Sequence, residues 1–405
     1  MTPMTVIRVF VPFAIGYFLS YLLRVVNAVI APDLVRELGL TAAELGLLTS
    51  ANFLAFAAAQ IPVGIMLDRY GPRRTESAML LFAAAGAAVF ALAGSAPGLM
   101  AGRALIGLGT SACLMAAFKA YVMWFPGDRL PLINGLQMTA GGLGAITGTV
   151  PVEMALDFTD WRGVFVILTA MALTFSAAIF FVVPKRATTE SSAESFREQL
   201  AGVGRVFTSP FFWRIVPMTV TSQSMFLATQ SLWSGPWLHD VAGLDRDAVA
   251  HGLLLIAIAM VCGFFGMGAI TERLGRRGVR AAHVAFAGMA LFTVAQVPLA
   301  MLWTGAVVPC WMLFGFFGTT GILAYPALTR GFPPGLAGRV ITGLNVMSFA
   351  GAFAVQWGIG AVINLFPPTA AGGYAPAGYQ WAFAIMIAVQ AAGLAWFLAY
   401  RKVAV

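Results

Sequence analysis

The sequence predicts an all-α membrane protein, with twelve transmembrane helices in two pseudo-symmetric six-helix bundles. Composition, the recurrence of long apolar segments and an internal repeat lead to that expectation. Of 405 residues, 60% are hydrophobic and only 10% charged, against about 25% charged in an ordinary soluble domain. A water-soluble chain of this make-up has too few polar groups to cover its surface, so part of its solvent is lipid. The 44 glycines follow no triplet period and suit close helix packing in a bilayer.

Apolar segments of about 20 residues, long enough to cross the hydrocarbon core, recur along the chain. They fall at 8–31, 45–66, 75–96, 98–121, 131–155, 162–183, 212–238, 249–270, 281–303, 306–329, 339–365 and 381–400. Span one carries Arg24 and Asn27 and no small-residue cleavage site follows it, so it is expected to be a retained helix and not a signal peptide. Most linkers are short. The exception, 185–210, opens on Lys185 and Arg186 and continues through a Ser/Thr/Glu run to Arg205. The expected organisation is an N-terminal bundle over 1–184, a cytoplasmic linker over 185–210 and a C-terminal bundle over 211–405.

The cations set the orientation. Nineteen of the 24 Lys and Arg fall on the side of the linker, three (Arg36, Arg162 and Arg246) fall on the other, and Arg24 and Arg103 lie in or at the edge of spans. This bias places both termini in the cytoplasm, in a cytoplasmic membrane. The net charge of +8 is thereby accounted for by topology, and no nucleic-acid partner is needed. Cys113, Cys262 and Cys310 sit in apolar stretches, with neither a disulfide framework nor zinc spacing. The 19 methionines and three histidines are not spaced as copper ligands. A phosphate-cradling GxxxxGK[ST] element is missing, and no Ser/His/Asp set is placed for catalysis. The expectation is a non-enzyme with no metal and no cofactor, acting as a monomer on a small-molecule substrate in a lipid bilayer.

The chain is written twice. Gly64, Asp68, Arg69, Gly71 and Arg73 recur at an offset of 204 as Gly268, Glu272, Arg273, Gly275 and Arg277. Phe125-Pro126 recurs as Phe332-Pro333, and Gly135-Leu136-Gln137 as Gly343-Leu344-Asn345. Trp161 and Phe165 recur as Tyr379 and Phe383. Parallel repeats of this kind are a transporter plan, with alternating access between the halves. The loop Gly64-x-x-x-Asp68-Arg69-x-Gly71-x-Arg73-Arg74 resembles the signature of the major facilitator superfamily. Arg103-x-x-x-Gly107-x-Gly109 in span four is similar to its second motif, and the resemblance covers essentially the whole chain. The Gly-Pro element of its drug antiporters is not reproduced, which weakens an efflux reading.

The resemblance implies a gate at the signature loop. Asp68 is expected to face the positive N-terminus of span eleven across the two halves, and Glu272 to mirror it against span five. Arg73 or Arg74 is expected to pair with Asp128. Such contacts exist only with the cytoplasmic side closed and would favour an outward-facing state. The alternative is that these charges only fix topology and solvate a tight turn.

Charges within the membrane mark sites or paired interior groups by default. Tyr21, Arg24 and Asn27 are spaced i, i+3, i+6 on span one. The run resembles span one of the anion:cation symporters and organophosphate:phosphate antiporters of the superfamily, which implies that Arg24 grips an anionic substrate; snorkelling to the headgroups is the alternative. The resemblance to the phosphate antiporters implies a second Arg in span seven. The stretch Gln223 to Gln230 there has no cation, a departure that argues against a doubly charged phosphate ester and for a monoanion, or an anion helped by Lys119. Gln137, Gln223, Gln230, Asn345 and Gln356 are candidate ligands or interhelical hydrogen-bonding groups. Phe226 and Trp233 either wall the cavity or pack. Arg103, by the resemblance, and Glu153 are candidates for coupling to protons or another ion. Glu153 would accept a proton or pair with Arg24 or Arg103. The alternatives are an interfacial anchor for Arg103 and a wet periplasmic rim for Glu153. No acid is expected in the middle of any span. The expected function is secondary transport of a small organic, monocarboxylate-like anion by a rocker switch, as symport or exchange. The alternatives are a broad-specificity efflux antiporter and a receptor built on a transporter scaffold.

Overall fold

The structure, a computed structural model, describes residues 4, 6–185, 196–333, 336–369 and 373–400. Among these residues it is helical nearly throughout, with no strand. Helices are what a bilayer demands, because backbone N–H and C=O groups find no water there and must pair within the segment. Span one runs as Val6–Phe10, Val11–Val25 and Asn27–Leu38. Ala42–Leu92 holds spans two and three. Span four is Ala96–Thr110 and Cys113–Trp124, span five Leu130–Thr147 and Val150–Leu156, and span six Trp161–Val182. A short helix, Phe196–Phe207, precedes span seven, which is Pro210–Ala228, Thr229–Trp233 and Ser234–Asp240. Spans eight and nine are Arg246–Gly275 and Ala281–Ala295 with Val297–Ala300. Span ten is Val307–Gly318, Thr319–Leu323 and Ala324–Arg330; spans eleven and twelve are Ala337–Ile363 and Pro376–Ala399.

Nine helices among the described residues are long and apolar enough to cross a membrane. Ala42–Leu92 counts once but holds two spans, and Leu130–Thr147 of span five and Pro210–Ala228 of span seven are long enough but carry too many polar residues to qualify. Large apolar side chains such as Leu81, Phe181, Phe265, Leu313 and Trp396 point outward and are exposed. A soluble surface seldom carries so much apolar area, and a lipid-facing one does.

Local chemistry sets the helix ends. Thr41 and Glu44 form a reciprocal capping box that starts span two, with Glu44 N donating to Thr41 Oγ1 at 3.2 Å and Thr41 N to Glu44 Oε2 at 2.9 Å. Asp160 and Asp245 accept from Gly163 N at 2.8 Å and Ala248 N at 2.9 Å, capping spans six and eight. Between spans two and three the backbone reverses at Gly71, whose φ of 75° suits a residue without Cβ, and Pro72 opens span three. In the second half Gly275 closes span eight, and the left-handed position falls to Gly278 with φ 82°. The repeat is therefore kept in sequence more faithfully than in backbone.

Glycines let span four lie against spans two and three. A Cβ on Gly107 would stand 2.0 Å from the carbonyl oxygen of Asn52. Backbone cannot yield as a side chain does, so Gly107→Ala is expected to destabilise the N-terminal half by about 1–3 kcal/mol, read as a lower melting temperature in detergent.

The halves meet tightly at one end only. Cβ atoms on Gly235 and Gly360 would lie 2.2 Å from Ala28 O and 2.3 Å from Ala42 O, both across the inter-half boundary. At the opposite end, that of the 185–210 segment, Gly135, Gly268 and Gly338 have nothing within 4 Å of a built Cβ. The molecule is closed at the Asp33 end and loosely packed at the linker end.

Candidate substrate cavity

A cavity of about 420 Å³ lies between the halves. Spans one, four, seven and ten line it, joined by two, five, eight and eleven. Parts of its wall are irregular helix: the loosened turn at Ser111 in span four and the 3-10 helix Thr319–Leu323 in span ten. Helix irregularities near the midplane free backbone groups for a solute. Most of the lining is apolar, with Phe56, Phe118, Phe226, Phe264 and Phe349 prominent, and Gln60, Asn134, Gln223 and Asn345 supply amides.

Arg24 is the only charged residue among the described residues of the lining. It is 6% exposed, it makes no ion pair, and its Nε has no hydrogen-bond partner. Aromatic rings hold the guanidinium instead: Tyr21 at 4.6 Å, Phe349 at 5.5 Å and Phe56 at 5.7 Å from ring centroid to Cζ. Phe56 and Phe349 come from opposite halves and stack at 4.0 Å. A buried cation held largely by π-faces, in a mostly apolar cavity, is a strong electrostatic attractor for an anion.

Of the residues expected to bind substrate, Tyr21, Arg24, Gln223, Phe226 and Asn345 are brought together here. Asn345 accepts from Tyr325 Oη at 2.6 Å and donates to Gln60 Oε1 at 3.3 Å, joining the halves. The other six lie elsewhere, a correction to the sequence reading. Asn27 is buried off the cavity, because six residues along a helix is about 120° round from Tyr21. Lys119 pairs with Asp68 at 2.5 Å, toward the linker end. Gln137 accepts from Tyr121 Oη at 2.6 Å and donates to Phe13 O at 3.2 Å, tying spans one, four and five. Gln230 sits on Met260 Sδ at 2.9 Å. Trp233 donates to Gln356 O at 2.9 Å, and Gln356 donates to Thr49 Oγ1 at 2.7 Å, so both help seal the Asp33 end. The cavity residues missed, Tyr17, Thr110, Ser111, Thr319 and Tyr325 among them, carried one usable signal: small hydroxyl residues interrupting long apolar runs.

The gate expectations change as well. Asp68 bonds Lys119 of its own half. Arg73 donates from Nε to Phe180 O at 2.7 Å and lies 4.7 Å over that ring; the side chain of Asp128 is outside the described residues. Arg69 stacks 5.3 Å over Tyr70, and Arg74 is exposed beyond Gly64 and Gly71. Glu272 pairs at 2.5 Å with Arg276 on its own helix, leaving Arg273 and Arg277 exposed near Gly268 and Gly275.

The tight end has a clasp of its own. Arg246 of span eight donates bidentately to Asp33, Nη1 to Oδ1 at 3.0 Å and Nη2 to Oδ2 at 2.7 Å. Its Nε donates to Glu153 of span five. Glu153 therefore finds an arginine, but not Arg24 or Arg103. Nearby, hydrogen bonds from Trp161 and Arg162 hold the Glu37 carboxyl below its usual range, linking span six to span one. Arg103 is 2% exposed and donates from Nη1 to Leu23 O at 2.7 Å, with no carboxylate partner. Glu76, five residues past the Gly71 reversal and so not in mid-span, is wholly buried in the N-terminal half.

Residues 13–356 match the family model described as Major Facilitator Superfamily. The chain is 26% identical over 352 residues to the probable sulfoacetate transporter SauU of Cupriavidus necator, covering 82% of each chain. It is 24% identical over 391 residues to the hexuronate transporter of Bacillus subtilis, covering 86% of this chain and 90% of that one. The crystal structure of a bacterial homolog to the human lysosomal transporter Spinster, inward-facing and unoccupied, superposes with a TM-score of 0.75 at 18% identity, covering 99% and 98% of the two chains.

Proposed function

The chain belongs to the major facilitator superfamily, and from that premise we propose that it carries a small organic anion through the cavity at Arg24. It is a multi-pass membrane transporter and not an enzyme. The observation that carries the anion reading is that the cavity's one charged lining residue is a buried cation without a protein counter-ion. The names of the relatives support it, since sulfoacetate and hexuronates are organic anions. The size fits a solute of this kind, being within the roughly 300–1,000 Å³ of ordinary ligand sites. A single cation and a mostly apolar wall suit a monoanion better than a phosphate ester.

The bundles divide at 185–210, whose end we assign to the cytoplasm of a cytoplasmic membrane from the cation bias. In that orientation the closed Asp33 end is periplasmic and the conformation is inward-facing. Rocking of the halves about the cavity, coupled to protons or to exchange, then carries the anion across. Uptake of labelled glucuronate, sulfoacetate and a cationic dye into reconstituted vesicles tests the reading. Anion uptake that needs Arg24 supports it. Dye transport indifferent to Arg24→Ala, with no anion transported, would establish an efflux antiporter instead.

A further inference from the structure

We propose that Glu76 is a proton-binding site that couples anion movement to a proton gradient, seated against span one about two helical turns from Arg24. The inference rests on the transporter reading and adds the coupling ion and its seat. Glu76 is 0% exposed, and among the described residues neither carboxyl oxygen is paired with a nitrogen or oxygen donor, the Cys113 thiol being its polar neighbour. Among the described residues no Lys, Arg or His pairs with it. An ionised carboxylate in that position costs several kcal/mol, whereas a protonated one carries no net charge to desolvate.

The site is shaped for the group. A Cβ on Gly16 would fall 2.2 Å from Glu76 Oε1 and 3.4 Å from Ile179 Cδ1, so the carboxyl occupies room left by a glycine of span one. The titratable groups that face it are neutral ones. Span four offers the thiol of Cys113 and the phenol of Tyr121; span one offers only Gly16, and span six Ile179. Tyr17, beside Gly16, already lines the cavity with Arg24. Span one thus carries the cation for an anion and, about two turns away, borders a seat for a proton. Loading both is electrically economical: the anion offsets Arg24, and the proton removes the charge of Glu76.

Two measurements on Glu76→Gln test this in reconstituted protein. The first uses no substrate: pH-difference infrared spectra of the wild type should show the C=O stretch of a protonated carboxylic acid that Glu76→Gln lacks. The second uses glucuronate. With one proton per monoanion, a pH difference of about one unit sustains about tenfold accumulation. Glu76→Gln should reduce this to simple equilibration while keeping counterflow of labelled against unlabelled glucuronate. Glu76→Leu keeps the bulk without a proton site and serves should the amide variant not fold. An unchanged infrared band, or pH-driven accumulation retained in either folded variant, overturns the proposal. Wild-type protein that transports none of the anions overturns the anion reading, and the infrared comparison still decides whether Glu76 holds a proton.

Discussion

Replacing Arg24 with alanine is expected to lower kcat/KM for organic-anion uptake by about a hundredfold or more, with no loss of thermal stability. Truncating one partner of a desolvated charge pair costs about 2–5 kcal/mol, and each 1.4 kcal/mol is about tenfold. The stability half of the expectation comes from the same geometry. Among the described residues Arg24 has no carboxylate partner, and its return from the rings of Tyr21, Phe56 and Phe349 is about 2 kcal/mol or less. Its removal therefore breaks no ion pair and relieves a buried charge. Arg24→Lys should fall between, since an ammonium keeps the charge but loses the planar fork and the stacking. Initial-rate uptake of glucuronate alongside melting curves in detergent checks both halves. Wild-type rates from a folded Arg24→Ala protein would remove the basis of the anion reading.

The fold was legible because a bilayer leaves few choices. Twelve apolar segments and a duplicated loop are one-dimensional features, and the closure of backbone hydrogen bonds does the rest. Gly71 was legible too, since a reversal after Asp68-Arg69 needs a residue free at positive φ. The partners of buried polar groups were not legible. Gln137 and Gln223 look alike in sequence, yet one ties Tyr121 to Phe13 and the other faces the cavity. The difference is a rotation about the helix axis set by neighbouring spans. Glu76 carried a signal that went unused: it falls inside the segment 75–96, where a carboxylate is a functional candidate by default. The glycine that seats it is 60 residues away in sequence, and only tertiary packing brings the two together. Arg246 was counted as an outer-loop cation, because nothing local shows that Asp33 and Glu153 converge on it.

That convergence makes Arg246→Ala the second large effect, on conformation and not on substrate. Arg246 comes from the C-terminal half, and Asp33 and Glu153 from the N-terminal half, so their bonds exist only while this end is shut. The side chain of Arg246 is 40% exposed while those of Asp33 and Glu153 are 12% and 11%. Solvent screening weakens the pair on the arginine side, but removing the cation leaves two nearly buried carboxylates facing each other. An intermediate cost of about 1–3 kcal/mol shifts the balance between closed and open forms by about 5- to 150-fold. Spin labels on the outer ends of spans one and eight should report a longer distance population in Arg246→Ala than in the wild type. Charge reversal in Asp33→Arg with Arg246→Asp should restore part of the short one, as a double-mutant cycle would show. Glycine contacts such as Gly360 on Ala42 remain in the closed form, so the single variant should populate both states and not lock the protein open. Unchanged distances in Arg246→Ala would mean that these backbone contacts and the bond from Gln356 to Thr49 hold the end shut without the clasp.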